Sequence, residues 1–203
     1  NDPREILITI NKKKLKDLKY NAIIGTSSFR REFQVRSIRT DLKCKVIRGN
    51  IDTRIQKLND GLYDAIILSY AGVKSLNMND NISEIFSVKD LIPSAGQGII
   101  SLQCREDDDE IISILKKVNH YETYQRAYAE RNVLKVLEGD CETAIGAHAV
   151  LEGNKINLEA ELFSLDGMQR FYEKKTSDIE NAKELGKEVG LILKTKSSNT
   201  YKK

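Results

Sequence analysis

Two short stretches, GTSSFRR (Gly25–Arg31) and IRGNIDTR (Ile47–Arg54), are the most informative part of the sequence for the fold. In the first, a glycine, a threonine and two serines follow an apolar run, and these residue types turn a chain and cap a helix. Arg30 and Arg31 then fall in the first turn of the predicted helix, where the helix dipole favours negative charge. Backbone amides, hydroxyl groups and two guanidinium groups in one place predict an anion site. The alternative is a pair of solvated arginines on a helix face.

The elements predicted around these two stretches alternate along the chain. Apolar runs predict strands, helical spacing predicts helices, and turn residues separate them. The strands are predicted at 5–10, 22–25, 43–48 and 64–69, and the helices at 26–40, 51–58 and from 71 onward. This alternation predicts an α/β sheet with right-handed crossovers. Ligands of such sheets bind beyond the carboxyl ends of the strands, which is where both arginine-bearing turns lie.

The second half of the chain has a different pattern. The small-residue segment PSAGQG at 93–98 predicts a hinge or an ordinary loop, and a strand at 99–104 and an acidic-capped helix at 107–118 follow it. From about residue 119 the pattern is a helix, three strands and a helix, which predicts a small α+β domain with an antiparallel sheet. These elements are predicted at 121–137, 144–151, 156–163, 168–172 and 181–193, and the tail 194–203 is predicted to be polar and loose.

Composition argues against several classes of protein. The chain has 203 residues, of which 40% are hydrophobic and 31% charged, and this is too much apolar material for a disordered chain. No run of ~20 apolar residues occurs, so no membrane span is predicted. A net charge of +3 with mixed signs does not predict a nucleic-acid-binding field. Arginine, which suits bidentate recognition of carboxylate or phosphate, is nevertheless concentrated in one window: Arg30, Arg31, Arg36, Arg39, Arg48 and Arg54.

The three cysteines are widely spaced and odd in number, which argues against a disulfide framework and against a zinc cluster. Cys44 and Cys104 lie in predicted strands and are expected to be small core residues. Cys141 follows the turn residues Gly139 and Asp140, between a predicted helix and a predicted strand, so its thiol is expected to be accessible. No metal site is predicted.

Five segments taken together resemble one known family. They are GTSSFRR (25–31), IRGNIDTR (47–54), YDAIILSYAGVK (63–74), PSAGQG (93–98) and LEGDC (137–141). In this order and spacing they closely resemble the porphobilinogen deaminase family, also called hydroxymethylbilane synthase, and the resemblance runs from Asn1 to about Gly167. It implies a transferase of tetrapyrrole (heme) biosynthesis that joins four porphobilinogen molecules head to tail, releases ammonia and yields hydroxymethylbilane.

The resemblance also implies a cofactor and the residues that bind it. The family extends a dipyrromethane cofactor held by a thioether, and Cys141 matches the cysteine of that thioether. Porphobilinogen and its oligomeric pyrrole intermediates are the implied partners, and each pyrrole unit carries two carboxylates that guanidinium groups can bind. The residues that match the family's binding positions for cofactor and substrate are Thr26, Ser28, Arg30, Arg31, Arg48, Arg54 and Gln97.

In the family, two lobes share the architecture of periplasmic binding proteins, and a small third domain carries the cofactor. The resemblance assigns 1–92 to the second, α/β domain, 93–118 to a hinge and a segment returning to the first domain, and 119–203 to the cofactor-attachment domain. Most of the first domain, with its catalytic aspartate, has no counterpart in this sequence. We therefore expect this chain alone to be inactive, its missing N-terminal part to be a partner, and the complete protein to be monomeric. A cytoplasmic location is expected, with a plastid as the alternative.

The cysteine loop departs from the family pattern. Asp140 and Thr143-Ala144 stand where a glycine and a proline are usual, and Asp140 is expected to lower attachment efficiency or to alter the loop. Two other functions stay open: a non-catalytic carboxylate-binding or anion-binding module of the two-lobed fold, and a nucleic-acid binder that uses the arginines. Cys141 separates the module from the enzyme, because a binding module has no use for a tethered cofactor.

Overall fold

The computed structural model describes residues 1–140 and 142–202. Its N-terminal part is a five-stranded sheet with helices on both faces. The strands are β1 Glu5–Ile8, β2 Ile23–Gly25, β3 Lys43–Lys45, β4 Ala65–Ser69 and β5 Ile82–Ile85. The helices are α1 Phe29–Ile38, α2 Ile51–Asn59 and α3 Tyr70–Ser75, with single 3₁₀ turns at Leu15–Asp17 and Asn79–Asn81.

The strand order of this sheet is β3-β2-β4-β1-β5. Strands β2, β3 and β4 are parallel, as the alternating pattern predicts, whereas β1 is antiparallel to both of its neighbours. Because Glu5 pairs with Ser69, the last residue of β4, β1 begins at the carboxyl edge of the parallel strands. β5 runs opposite to β1 and therefore ends at that same edge. The predicted α/β sheet is confirmed, but the antiparallel β1 and the existence of β5 are not visible in the sequence pattern.

Both faces of the sheet are buried. Leu7 packs on one side with Val35 of α1, while Ile6 and Ile66 pack on the other side with Leu58 of α2. Successive side chains of a strand point to opposite faces, so a sheet covered on both sides needs apolar residues at nearly every position. This explains why β1 and β4 appear in the sequence as continuous apolar runs.

The C-terminal part is a three-stranded antiparallel sheet, in the order β6-β7-β8, with helices α5 and α6 packed on one face. Its elements are α5 Tyr121–Leu137, β6 Ile145–Glu152, β7 Lys155–Phe163, β8 Arg170–Asp178, a 3₁₀ turn Ile179–Asn181 and α6 Ala182–Ser197. The predicted small α+β domain is therefore confirmed. Across the described residues, no helix combines the length and the hydropathy that a bilayer span requires.

Two predicted elements are corrected by the structure. Residues 99–104 form no strand, and the helix that follows, α4 Asp109–Val118, has no buried residue. The tail is not loose, because α6 continues to Ser197 and the Tyr201 side chain is buried, with its hydroxyl group donating to Leu137 O over 3.2 Å. Tyr201 thus closes the apolar core between α5 and α6.

Helix α1 also contacts the C-terminal domain. The Phe33 ring lies 5.8 Å from the Phe163 ring, and Ala144 belongs to the same buried cluster. A Cβ atom on Gly167, in the turn before β8, would lie 2.4 Å from Phe33 Cδ1, so that turn requires glycine for space as well as for its φ of +70°. The helix that carries the arginine pair is therefore packed between the two units.

His148 on β6 is a buried histidine that lies next to a buried glutamate. Burial, and then the charge of Arg126, lower the pKa of His148 to about 4. Its Nδ1 atom lies 3.7 Å from Oε1 of Glu130, whose own burial raises its pKa to about 6. Both pKa shifts favour the uncharged form of the side chain, so folding makes each group harder to ionise than it is in water.

We expect His148 to make the fold sensitive to acid. As the pH falls from 6.5 to about 4, the unfolded chain binds a proton at this position that the folded chain excludes, so stability falls. Glu130 acts in the opposite sense, since its stabilising proton is lost as the pH rises toward 6. His148→Asn should therefore remove about 2 kcal/mol of the loss in free energy of unfolding between about pH 7 and about pH 4.5, measured by urea unfolding at both pH values.

The control is His120→Asn, at the exposed N-cap of α5, where the side chain accepts a hydrogen bond from Thr123 N. Asparagine preserves a cap, so this variant should keep the wild-type pH dependence. An unchanged pH dependence in His148→Asn would show that His148 is not the acid-sensitive group.

Candidate anion-binding site

The N-terminus of α1 lies at the carboxyl edge of β2, and hydroxyl groups shape the turn between them. Ser28 is the N-cap, and its side chain accepts a long hydrogen bond of 3.4 Å from Arg31 N. Thr26 Oγ1 accepts from Ser28 N over 3.2 Å, and Ser27 Oγ donates to Ile47 O. Thr26 is buried and Ser28 half-buried, so both predicted ligand hydroxyls serve the turn itself in this structure.

Arg30 is an interior residue, with 5% of its surface exposed. Its guanidinium group donates from Nη1 to Ile92 O over 2.8 Å and from Nη2 to Glu5 Oε1 over 2.6 Å. Burial lowers the pKa of Arg30, and the carboxylate of Glu5 opposes that shift. A guanidinium group held from two sides in this way acts as a strut between β1 and the segment that leaves β5.

Arg31 is held more loosely and retains donors. Its Nη2 atom lies 2.9 Å from Glu5 Oε2, at ion-pair distance but without hydrogen-bond alignment. Its Nε atom is buried and has no hydrogen-bond partner among the described residues. A buried donor without a partner is costly, so this atom marks a place where an anion would gain a hydrogen bond that the described part of the chain does not supply.

The turn before α2 brings a second arginine to this place. Arg54 Nε donates to Gly49 O over 2.8 Å, and the pKa of Arg54 is lowered first by partial burial and then by the charge of Arg31. Two guanidinium groups close enough to influence each other favour an anion between them. Gly49 has φ +120°, and a Cβ atom there would lie 2.7 Å from Thr53 Cγ2, so glycine is required. Arg48, the remaining predicted arginine, has an exposed side chain in the same turn.

Gln97, in the segment 93–98, reaches the same cluster from a different part of the chain. Its Nε2 atom donates to Pro3 O over 2.6 Å and to Glu5 Oε1 over 3.0 Å. The structure thus brings three predicted site residues, Arg30, Arg31 and Gln97, onto the carboxylate of Glu5. Glu5 is the residue that sequence reasoning missed, and its only signal is a charged residue at the head of the otherwise apolar strand EILI.

The charge of Glu5 is kept by its neighbours. Burial alone raises the pKa of this carboxyl group, but the charges of Arg31 and Arg30 outweigh it and hold the pKa below its ordinary value. Glu5 is therefore ionised at neutral pH, and it compensates one of the two guanidinium charges beside it. One positive charge on Arg31 and another on Arg54 are left for a ligand.

The predicted attachment residue, Cys141, lies outside the described residues, but its neighbours are described. Asp140 Oδ1 accepts hydrogen bonds from Glu142 N over 2.9 Å and from Thr143 N over 3.0 Å. The hydroxyl group of Thr143 also donates to Asp140, and these bonds lower the pKa of that carboxyl group. Asp140 and Thr143, which depart from the family pattern, are therefore hydrogen-bonded to each other. Ala144, at the end of the loop, packs against Phe33 of α1.

The other two thiols differ in their surroundings. Burial, and then the charge of Glu32, raise the pKa of Cys44 to about 12, so this thiol stays protonated. Cys104 lies half-buried in the irregular segment before α4 rather than in a strand, so its expected place in a strand core is corrected.

The residues present fit a polycarboxylate cofactor. Arg31 offers a buried donor that no described residue pairs with, Arg54 adds a second charge, and both lie in the first turn at a helix N-terminus. Free amides and the helix dipole favour anions at such termini. The carboxylates of a dipyrromethane with acetate and propionate groups would suit these donors.

Two family models match the chain over most of its length. Residues 1–113 match the model described as "Porphobilinogen deaminase, dipyromethane cofactor binding domain". Residues 124–195 match the model described as "Porphobilinogen deaminase, C-terminal domain". The first match includes the arginine cluster and Gln97, and the second includes Cys141.

Curated relatives named porphobilinogen deaminase match nearly the whole chain. The Desulforamulus reducens protein is 40% identical over 188 residues, which is 93% of this chain and 61% of the relative. The Brevibacillus brevis and Coxiella burnetii proteins are 40% and 41% identical, each over 95% of this chain and 62% of the relative. The chain thus spans about three fifths of the length of these relatives. On these matches, the chain belongs to the porphobilinogen deaminase family.

Proposed function

We propose that the chain is the part of a tetrapyrrole-building transferase that binds the carboxylates of a pyrrole chain and carries its covalent primer. The reaction would join four porphobilinogen units head to tail, with release of ammonia, to give hydroxymethylbilane. One observation carries the proposal, the position of α1. Its N-terminus holds Arg31, whose Nε atom has no hydrogen-bond partner among the described residues. Its Phe33 packs against Ala144, three residues beyond Cys141 in the sequence. The helix that carries the candidate carboxylate site therefore packs against Ala144, which follows the candidate tether in the sequence.

The contacts and charge around each residue indicate its role in the site. Arg31 and Arg54 bind ligand carboxylates, because their charges are not compensated within the cluster. Arg48 extends the positive rim, while Thr26 and Ser28 shape the turn through their hydroxyl groups. Arg30 fixes the helix end to Glu5 and Ile92.

The cofactor would be held at Cys141 through a thioether. When bound, dipyrromethane supplies the pyrrole end to which new units are joined. The protein groups near it hold its carboxylates in place and keep the growing product from diffusing away between cycles. Nothing among Arg31, Arg54 and Gln97 is suited to remove or deliver a proton at neutral pH, so their task is binding and orientation.

We also propose the three-part organisation implied by the family: a second domain at 1–92, a hinge and return segment at 93–118, and an attachment domain at 119–203. The segments 1–4 and 93–98 run side by side at the carboxyl edge of the sheet. Gln97 bonds to Pro3 O, and a Cβ atom on Gly98 would lie 3.1 Å from Asn1 O. Two adjacent crossing segments are the hinge that a two-lobed binding-protein architecture needs.

The return segment, residues 99–118, exposes apolar side chains that no described residue covers. Ile100 and Leu102 are 77% and 62% exposed, and the apolar side of α4, which includes Ile114 and Val118, is open as well. An amphipathic helix buries its apolar side against a neighbour. We propose that 99–118 packs on a further domain of the protein.

The test is the intact mass of the chain after incubation with porphobilinogen. The protein of full family length should gain the mass of a covalent dipyrromethane and release ammonia, whereas this chain alone, which is expected to be inactive, should not. Cys141→Ser should remain at the mass of its sequence. Cys44→Ser is the matched control and should gain the adduct, because the Cys44 thiol is kept protonated.

Two outcomes would decide against the proposal. An adduct that persists in Cys141→Ser would place the attachment elsewhere. No adduct in any protein of full family length, together with reversible binding of porphobilinogen, would favour the non-catalytic anion-binding module.

A further inference from the structure

Glu5 is buried at the point where the anion site meets the segment 93–98. It opens β1, and because β1 is antiparallel to β4, its side chain lies at the carboxyl edge beside the N-terminus of α1. It has no exposed surface. Its Oε1 atom accepts from Arg30 Nη2 over 2.6 Å and from Gln97 Nε2 over 3.0 Å, and its Oε2 atom lies 2.9 Å from Arg31 Nη2.

The three partners of Glu5 are not equivalent. Arg30 is fixed twice, by Glu5 and by Ile92 O, and Gln97 is fixed by Glu5 and by Pro3 O. Arg31 differs because Glu5 faces only one of its terminal nitrogens and its Nε atom has no partner in the described chain. Glu5 therefore restrains one end of the Arg31 guanidinium group and leaves other donors of that group available.

Two guanidinium groups on consecutive residues repel each other, and solvent would draw the less buried one outward. A single carboxylate between them removes that repulsion. Since Arg30 is locked, the same carboxylate sets the direction of Arg31 relative to Arg54. Gln97 couples this arrangement to the segment 93–98.

We infer that Glu5 is a positioning residue, which orients the Arg31 guanidinium group toward the carboxylate of a bound pyrrole and ties the site to the segment 93–98. The inference rests on the proposed function for the identity of the ligand. It does not depend on Cys141 or on catalysis.

The decisive variant is Glu5→Gln, because two explanations predict opposite results. If Glu5 contributed only charge, its loss would leave the site more positive and would tighten anion binding. If Glu5 positions Arg31, its loss should weaken binding. We expect porphobilinogen, titrated by calorimetry at neutral pH, to bind Glu5→Gln roughly tenfold more weakly than the wild-type chain.

The matched control is Glu130→Gln. Glu130 is also a buried glutamate, and it also accepts a hydrogen bond from the segment 93–98, from Gly96 N over 2.7 Å. It accepts a second from Ala149 N of β6 over 2.8 Å, but no hydrogen bond or ion pair joins it to Arg30 or Arg31. It should lose stability to urea and retain its affinity for porphobilinogen. Equal losses of affinity in both variants would reduce Glu5 to a structural residue and overturn the inference, as would tighter binding by Glu5→Gln.

Two further measurements keep the test decisive. Glu5→Asp retains the charge but is one methylene shorter, so a folded Glu5→Asp chain should bind porphobilinogen more weakly than wild type. Wild-type affinity would overturn the inference even if Glu5→Gln does not fold.

The second measurement is the modification of Arg31 by an arginine-selective dicarbonyl, read by peptide mass. It should be faster in Glu5→Gln than in wild type, and an unchanged rate would contradict the inference. If wild-type chain does not bind porphobilinogen, the proposed function fails while the dicarbonyl result still decides the role of Glu5.

Discussion

Replacing Gly186 by alanine is expected to destabilise the C-terminal domain by roughly 3 kcal/mol, the upper end of what overpacking usually costs. An added Cβ atom would lie 2.2 Å from Ala129 O and 2.8 Å from Asn132 Cβ. The first obstacle is the backbone of α5, which cannot rotate away as a side chain can. Gly190, one turn later, faces Val136 Cβ at 2.8 Å, so α5 and α6 approach closely along a stripe of two glycines. An alanine within an open helix would instead stabilise it by about 1 kcal/mol relative to glycine.

The measurement is the free energy of urea unfolding, followed by circular dichroism. Lys187→Ala, at the next and exposed position of α6, is the matched control and should change stability by less than about 0.5 kcal/mol. A Gly186→Ala chain as stable as wild type would show that α5 and α6 have room to separate.

The strong local patterns of the sequence predict most of the fold. The apolar strands β2 and β4 and the helices α1 and α2 lie where their residue spacing indicates, because each is long or apolar enough to determine its own burial. Strand β5 was not predicted because ISEI at the sheet edge is short and only half-buried. It exists because β1 offers it a free edge.

The segment 99–104 shows the opposite error. IISLQC has the residue types of a strand, yet it forms none, because a strand needs a neighbour to pair with. Tyr201 illustrates the same dependence on distant residues. The polar composition of 194–203 predicts a loose tail, but the aromatic ring of Tyr201 packs between α5 and α6.

The anion site, too, is predicted from the sequence only in part. Placing Arg31 and Arg54 at strand ends requires only the order of strands and helices, and the sequence contains that order. The role of Glu5 requires that β1 be antiparallel, since a parallel β1 would put this residue at the far edge of the sheet. That direction is set by pairing between residues more than 60 positions apart, Glu5 with Ser69. The difference between Arg30, which is bonded on two sides, and Arg31, the proposed binding residue, follows from it.

Replacing Arg31 by glutamine is expected to weaken binding of porphobilinogen by roughly 10- to 100-fold while leaving the fold intact. A charge-assisted hydrogen bond to a carboxylate contributes about 1.5–3 kcal/mol, and Arg31 provides a buried donor that has no hydrogen-bond partner within residues 1–140 and 142–202. The loss of fold stability should be small, because Arg31 makes no aligned hydrogen bond to Glu5 and Arg30 continues to compensate that carboxylate. Calorimetric titration of porphobilinogen and urea unfolding on the same preparation separate the two effects.

Arg36→Gln provides the comparison within the same helix. Arg36 is exposed and pairs with Glu32 at 3.5 Å, more than one turn away from the N-terminus of α1. An exposed pair of this kind adds little, and removing it lowers the net charge by the same unit as Arg31→Gln. If binding depends on the net charge of the chain, both variants should weaken it equally. If it depends on the donor beside Glu5, only Arg31→Gln should do so, and we expect that result.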